Sequence, residues 1–324
     1  MYYPTFLTNK DTIGITALSS GVGHKLDSFN ESIQYIHTQG FQTKETSDVR
    51  SNTEPSADAK IRAKEFNTLL EDTSISAIWC AAGGDFQVET MPYIDFDSIK
   101  AHPKWFLGAS DPTNLLFPVT CHCDIATIYG FNAGSFDAYG INAYSQSCFN
   151  FLKGNNQPLV SSTKHQHVDF YNEGAPILNT STYYQGEVSV KARLLGGCLE
   201  SINDLAGTPF DFTQEFIQRY ENDGIVWFFD IFSMNSCDVY RALLKMKVLN
   251  YFQTTKAILV GRVLFENVSE LINYHEAFQR ACPNIPLIFE TDIGHTYPHF
   301  YVINGALTQI DVKQGKGNIQ YILK

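Results

Sequence analysis

Lys104-Trp-Phe-Leu-Gly-Ala-Ser-Asp-Pro-Thr-Asn-Leu-Leu116 carries three local signals in one stretch. Trp105 to Leu107 reads as a short apolar strand, and Gly108-Ala-Ser-Asp as a tight turn. Pro112 suits the first helical position, where a missing N–H costs nothing. A strand that turns straight into a helix is the joint of an α/β sheet. A serine at such a corner is pushed out of the turn, with its hydroxyl above the sheet edge. The helix start just beyond supplies free N–H groups and a partial positive charge. Those are the parts of a nucleophile elbow. They also describe an ordinary βα turn in which Ser110 caps a helix, and the local sequence leaves both readings open.

The same alternation runs upstream. Thr12-Ile-Gly-Ile-Thr-Ala-Leu18 reads as a buried strand, followed by a Ser19-Ser-Gly-Val-Gly23 turn. Leu26, Phe29, Ile33 and Ile36 then recur at helical spacing up to Gly40. Gly21 and Gly23 without a third glycine are a weak dinucleotide signal. Pro55-Ser56 opens a second helix with Ala59, Ala63, Phe66 and Leu70 on one face. Ile75 to Ala82 is another interior strand, ending in Gly83-Gly84. Two glycines at a strand end let a backbone approach a ligand closely with its N–H groups directed at it; a plain tight turn is the alternative.

Downstream, Ile125 to Gly130 and an apolar helix over Ala143–Leu152 complete a first domain, residues 1–155. Lys153-Gly-Asn-Asn-Gln-Pro158 is the best boundary. In the second domain, residues 165–324, strands are expected at Val168–Tyr171, Thr182–Tyr184, Val188–Val190, Ile225–Phe229, Ala257–Gly261, Pro286–Phe289, near Tyr301 and over Asn318–Leu323. Leu194 to Pro209 reads as a glycine turn into a short helix. Further helices fall around Val239–Val248 and up to Ala281.

Hydrophobic residues at 44% and charged residues at 18% describe a globular chain. A formal charge of −11 argues against nucleic acid or an anionic membrane surface as the main partner. The seven cysteines show no paired spacing, and Cys121-His-Cys123 is the single tight cluster. That cluster could hold a metal, but zinc takes four ligands and no second cluster is evident, so buried free thiols in a reducing compartment are expected. The N-terminus lacks a basic start and a long apolar run, which points to a soluble cytoplasmic protein.

Serine needs a base, and the usual base is histidine. His295, in Asp292-Ile-Gly-His-Thr just after an apolar strand, is the best placed of nine. Asp230 closes Ile225–Phe229 and is a candidate to hold the imidazole in its useful tautomer; a turn cap is the alternative. Glu290 and Asp292 are rival carboxylates that more naturally shape the histidine loop.

The elbow, the Gly83-Gly84 turn with Pro92-Tyr-Ile-Asp95, Leu195-Gly-Gly-Cys-Leu with Gly207-Thr-Pro209, and Asp292-Ile-Gly-His-Thr together resemble the successive motifs of serine peptidase family S66. That family includes the LD-carboxypeptidases and the microcin C immunity proteins. The resemblance runs in order over roughly residues 10 to 310. It implies an α/β fold in two domains: a parallel-sheet N-terminal domain of flavodoxin or amidotransferase kind, and a mixed β/α C-terminal domain. It also implies a homodimer and a serine triad, with Ser110 matching the nucleophile, His295 the base and Asp230 the carboxylate. Backbone N–H groups around Gly84 and at Asp111 match the oxyanion donors. Three positions depart from the pattern: Asp230 replaces glutamate, Ala82 stands where arginine is frequent, and Ala109 where an aromatic is frequent.

The implied substrate is a muropeptide ending in a D-amino acid, whose carboxylate would want a cation; Arg262 is one candidate, and a surface ion pair is its alternative. The rival is a peptidyl or aminoacyl nucleotide, cut as the immunity proteins cut theirs. A non-catalytic relative that only binds is a third reading, and a nucleotide-binding oxidoreductase, resting on Gly21 and Gly23, a fourth.

Overall fold

A computed structural model of the chain describes residues 1–135, 142–166 and 178–323. It separates into two compact units, Met1–Asn156 and Gln157–Lys324.

In the first unit, strands β1 (Thr12–Thr16), β2 (Gln42–Glu45), β3 (Ile75–Cys80), β4 (Trp105–Gly108) and β5 (Thr127–Tyr129) line up in the order β5-β4-β3-β1-β2. The pairings are parallel, with Ile15 opposite Trp79 and Ile78 opposite Phe106. Helices α1 (Leu26–Thr38), α2 (Ala59–Glu71), α3 (Phe96–Ala101), α4 (Thr113–Cys123) and α5 (Asn142–Leu152) fill the crossovers or follow the last strand. An unbroken apolar run is the mark of a strand buried on both faces. β4 shows why: its successive side chains point opposite ways. Phe106 meets Phe66 of α2 at 6.1 Å between ring centroids, while Trp105 meets Phe151 of α5 at 5.4 Å. Each such ring contributes about 1.5–3 kcal/mol by leaving water.

Two expectations shift here. Helix α2 starts at Ala59, not at Pro55, because the Asp58 carboxylate accepts the Lys60 N–H at 2.9 Å and caps it. The Gly21/Gly23 turn is filled by its own chain. A Cβ on Gly21 would lie 2.2 Å from the Ser51 carbonyl oxygen, and Gly23 N–H donates to that oxygen at 2.8 Å. These glycines serve close packing, so the oxidoreductase reading loses its support.

The second unit holds β6 (Leu159–Val160), β7 (Lys164–Gln166), β8 (Leu178–Ser181), β9 (Val188–Cys198), β10 (Ile225–Asp230), β11 (Thr255–Gly261), β12 (Leu287–Thr291), β13 (Val302–Asn304), β14 (Leu307–Lys313) and β15 (Lys316–Ile322). Its main sheet runs β12-β11-β10-β9-β14-β15-β6. The first four are parallel and the last three antiparallel, hence a mixed sheet. Helices α6 (Leu199–Leu205), α7 (Thr213–Arg219), α8 (Ser236–Val248) and α9 (Tyr274–Ala281) connect the parallel strands. Trp227 and Phe229, alternate residues of β10, stack at 5.7 Å, and Trp227 continues onto Tyr251 at 5.8 Å.

Leu194 to Gly197 is strand, not turn. A Cβ on Gly196 would meet the Phe228 carbonyl oxygen at 1.9 Å, so glycine there permits the close approach of β10. Thr182–Tyr184 lies just beyond β8 rather than in a strand, and the expected strand at Val168–Tyr171 falls outside the described residues. All seven cysteines are free thiols. Among the described residues no helix is long and apolar enough to cross a membrane.

Candidate active site

Each unit builds one corner at the carboxyl ends of its parallel strands, where open α/β sheets place their ligands.

In the first unit Ser110 follows β4 with φ +68°, a left-handed conformation that non-glycine residues seldom adopt. Such strain persists only where the surroundings over-determine it. Here they do. Ser110 N–H donates to the Tyr129 hydroxyl at 3.1 Å, and Ser110 C=O accepts the Thr113 N–H at 2.9 Å. The Asn132 side chain clamps Ala109 on both sides, accepting its N–H at 3.0 Å and donating to its C=O at 3.1 Å. Tyr129 and Asn132 were not legible as site residues; the hint is that one ends β5 and the other follows it closely.

Gly83 lies against this serine. A Cβ there would sit 2.9 Å from Ser110 Cβ and 3.1 Å from Ser110 Oγ. The Gly83-Gly84 turn and the elbow are therefore one cradle. Gly84 has φ +134°, and a Cβ on it would collide with the hydroxyls of Ser19 and Ser20. No acceptor among the described residues takes the N–H of Gly84 or of Asp111.

The Asp111 side chain turns inward, 5% exposed. Its carboxylate accepts from the Ser19 hydroxyl, from Gln87 N–H at 2.8 Å and from Asn114 Nδ2 at 2.7 Å. It ties the strand ends of β1, β3 and β4 together. Burial pushes this carboxyl above its ordinary range, against the pull of those hydrogen bonds.

In the second unit Asp230 ends β10 fully buried. Its Oδ2 lies 2.7 Å from His295 Nδ1, and its Oδ1 accepts the His295 N–H at 3.3 Å. Gly294 has φ +108°, and a Cβ there would fall 2.1 Å from Asp230 Oδ1. Only glycine lets the histidine loop come down onto the carboxylate. Nδ1 faces the carboxylate, so the neutral ring carries its proton there and Nε2 keeps a lone pair. Burial works against a charged imidazole. The Asp230 charge, its hydrogen bond and the Glu200 charge outweigh it, and the His295 pKa is raised. His299 in the same loop behaves oppositely: burial pushes it down to about 4.

Arg262 follows β11, 4% exposed. Its guanidinium donates to Thr296 Oγ1 at 3.1 Å, to Glu290 C=O at 3.1 Å and to Pro298 C=O at 2.7 Å, and pairs with Asp292 Oδ1 at 2.8 Å. The other Asp292 oxygen accepts Ser162 N–H at 2.7 Å and the Tyr184 hydroxyl at 3.2 Å. Arg262 is thus a buried brace across the loop that carries His295, neither a surface ion pair nor a free cation. Asp292 shapes that loop, as expected of it. Among the described residues no group of three or more His, Cys, Asp or Glu side chains is arranged to hold a metal.

One unit thus carries a strained serine corner and the other a carboxylate–imidazole pair. Residues 13–130 match the LD-carboxypeptidase N-terminal domain and residues 191–310 the LD-carboxypeptidase C-terminal domain. The chain belongs to peptidase family S66. A putative carboxypeptidase of Vibrio cholerae is 24% identical over 96% of this chain and 95% of its own. The microcin C7 self-immunity protein MccF of Escherichia coli is 25% identical over 93% and 90%. In fold, the chain is similar to an MccF-like protein from Bacillus anthracis (TM-score 0.85, 20% identity, 100% of each chain covered). MccF in complex with aspartyl sulfamoyl adenosine gives 0.82 at 22% identity over 98% of each chain. A muramoyltetrapeptide carboxypeptidase from Oxalobacter formigenes gives 0.76 at 18% identity, over 96% of this chain and 98% of its own.

Proposed function

We propose that this protein is a serine amide hydrolase of the LD-carboxypeptidase kind, which releases a terminal D-amino acid from a cell-wall muropeptide. Ser110 is the nucleophile, His295 the base and Asp230 the carboxylate that steadies the imidazolium. One observation carries the reading: Ser110 is held at φ +68° against Gly83, a strain that a plain helix cap does not need.

His295 Nε2 takes the hydroxyl proton as Ser110 Oγ attacks the amide carbon. The carbonyl oxygen becomes an oxyanion, received by the N–H groups of Gly84 and Asp111. The imidazolium returns its proton to the leaving amine, and the C–N bond breaks to leave an acyl ester on Ser110. A water activated by His295 then hydrolyses that ester. Asp230, shorter than the family's glutamate, still reaches the ring because Gly294 lets the loop descend onto it. Arg262 has no role as a carboxylate clamp in this scheme; it fixes the shape of the histidine loop. No metal or cofactor enters, and the working assembly is a homodimer, which sedimentation equilibrium would check.

A second substrate, an aminoacyl or peptidyl nucleotide, is favoured by the match to MccF along 93% of this chain. The two separate in one experiment. A muropeptide tetrapeptide and aspartyl sulfamoyl adenosine are offered in parallel, with free D-alanine and free aspartate as readouts. Release of D-alanine, abolished in Ser110→Ala, is the expected result. Release of aspartate alone would transfer the assignment to the nucleotide substrate. Turnover of neither, with no labelling of Ser110 by a fluorophosphonate, would leave only the binding-protein reading.

A further inference from the structure

Glu200 sits in the first turn of α6, just after β9. Its side chain reaches the segment that follows Asp230. One carboxylate oxygen, Oε1, accepts three successive backbone N–H groups, from Phe232 at 3.0 Å, Ser233 at 3.1 Å and Met234 at 3.0 Å. The other, Oε2, accepts from the Cys198 thiol at 3.2 Å. Consecutive amides converging on one oxygen form an anion nest, here filled by the protein's own carboxylate. Bonds of this kind, with a charged acceptor, are about twice as strong as neutral ones.

The segment that Glu200 folds carries Phe232, and that ring lies against the His295 imidazole, 4.8 Å between centroids and tilted 51°. Phe232 is backed edge-on by Phe265 at 5.2 Å. His295 is thus held from three directions: by Asp230 at Nδ1, by Gly294 along the chain, and by Phe232 on its face.

We propose that Glu200 is a positioning residue for the reaction, fixing the Phe232 wall against the base and placing a second negative charge behind the Asp230–His295 pair. This rests on the reading of His295 as the base. The titratable groups facing the imidazole are Asp230 from β10, Glu200 from α6 and His299 from its own loop. His299 is neutral at working pH because burial holds it at about 4. The Cys198 thiol beside Glu200 is also neutral, since burial, then the Glu200 and Asp230 charges, push it well above its ordinary value. The two carboxylates are therefore the groups that favour the imidazolium.

The shape and the charge of Glu200 can be removed separately. Glu200→Gln keeps an oxygen for the three amides and loses only the charge. The His295 imidazole signal, assigned by its loss in His295→Gln and followed by NMR, should titrate at lower pH than in the wild type. The acid limb of kcat/KM should move the same way, with the plateau kcat little changed. Glu200→Ala removes the acceptor as well, and the plateau kcat should fall about tenfold to hundredfold, the scale of a small misplacement. Unmoved His295 titration and pH profile in Glu200→Gln would overturn the proposal, as would wild-type kcat in Glu200→Ala. The titration needs no turnover, so a wild type that hydrolyses nothing refutes the hydrolase reading while the NMR arm still decides the part played by Glu200.

Discussion

The serine corner and the imidazole corner are built by different physics. The first is held by shape. Ser110 is forced into a left-handed conformation, Gly83 makes room for it, and neutral groups on Tyr129 and Asn132 fix the backbone. Its buried carboxylate, Asp111, points inward as a structural tie. The second is held by charge. Asp230, His295, Glu200, Arg262 and Asp292 form ion pairs and charge-assisted hydrogen bonds at buried and half-buried positions. A nucleophile must be presented, and a rigid turn does that. The proposed base must be tuned, and there neighbouring charges outweigh burial. The first corner should therefore break when a methyl group is added, and the second when the charge of Asp230 or Arg262 is removed.

The largest effect belongs to the charge on which the proposed base depends. Asp230→Asn keeps the size of the side chain but offers His295 an amide, so the tautomer and the imidazolium are both disfavoured. The kcat should drop about 10⁴-fold, with urea unfolding little changed. Next comes Arg262→Met, which leaves Asp292 buried without its cation. Unfolding free energy should fall by about 3–5 kcal/mol in a urea titration, and activity should fall with it because the His295 loop loses its brace. Wild-type stability there would mean that the pair is not a brace. The smallest of the three is Gly83→Ala. The new Cβ presses on Ser110 at 2.9 Å, and should cost about 100-fold in kcat and about 1–3 kcal/mol of stability. An active, stable Gly83→Ala would show the serine corner to be less shape-dependent than drawn here.

The sequence exposed the serine corner better than its partner, for the same physical reason. Strand, glycine, serine and proline in a fixed order are local signals, and β1, β3, β4, β10, β11 and β12 declared themselves as apolar runs. The imidazole corner depends on contacts between residues far apart in the chain. Asp230 and His295 stood out because each follows an apolar strand. Nothing local marked Glu200, which reads as an acidic residue in a first helical turn; Arg262 stood out as a cation after a strand, but its place as a buried brace to Asp292 did not show. Within the first unit, the bond from Ser19 to Asp111 was equally hidden.

The fold shows the same division. Strand β2, Gln42–Glu45, is an edge strand whose side chains alternate between exposed and half-buried, and it gave no hydrophobic signal. Strand β14, Leu307–Lys313, is not among the expected strands, although its residues alternate with Ile310 and Val312 inward. Gln314 and Gly315, both at positive φ, turn it into β15, and glutamine is an unusual first residue for such a turn. The Leu194–Gly197 segment misled because paired glycines suggest a turn, whereas here one of them lets two strands approach.

The most direct test of the account is the rate at which a fluorophosphonate labels Ser110, read by intact mass across a pH series. The wild type should label at Ser110, with a rate that rises through a midpoint above 6.5, the ordinary imidazole value, because His295 is held protonated to higher pH by its carboxylates. In His295→Ala the labelling should vanish. Labelling of Ser110 in His295→Ala at the wild-type rate, flat with pH, would contradict the claim that this serine is made reactive by that base.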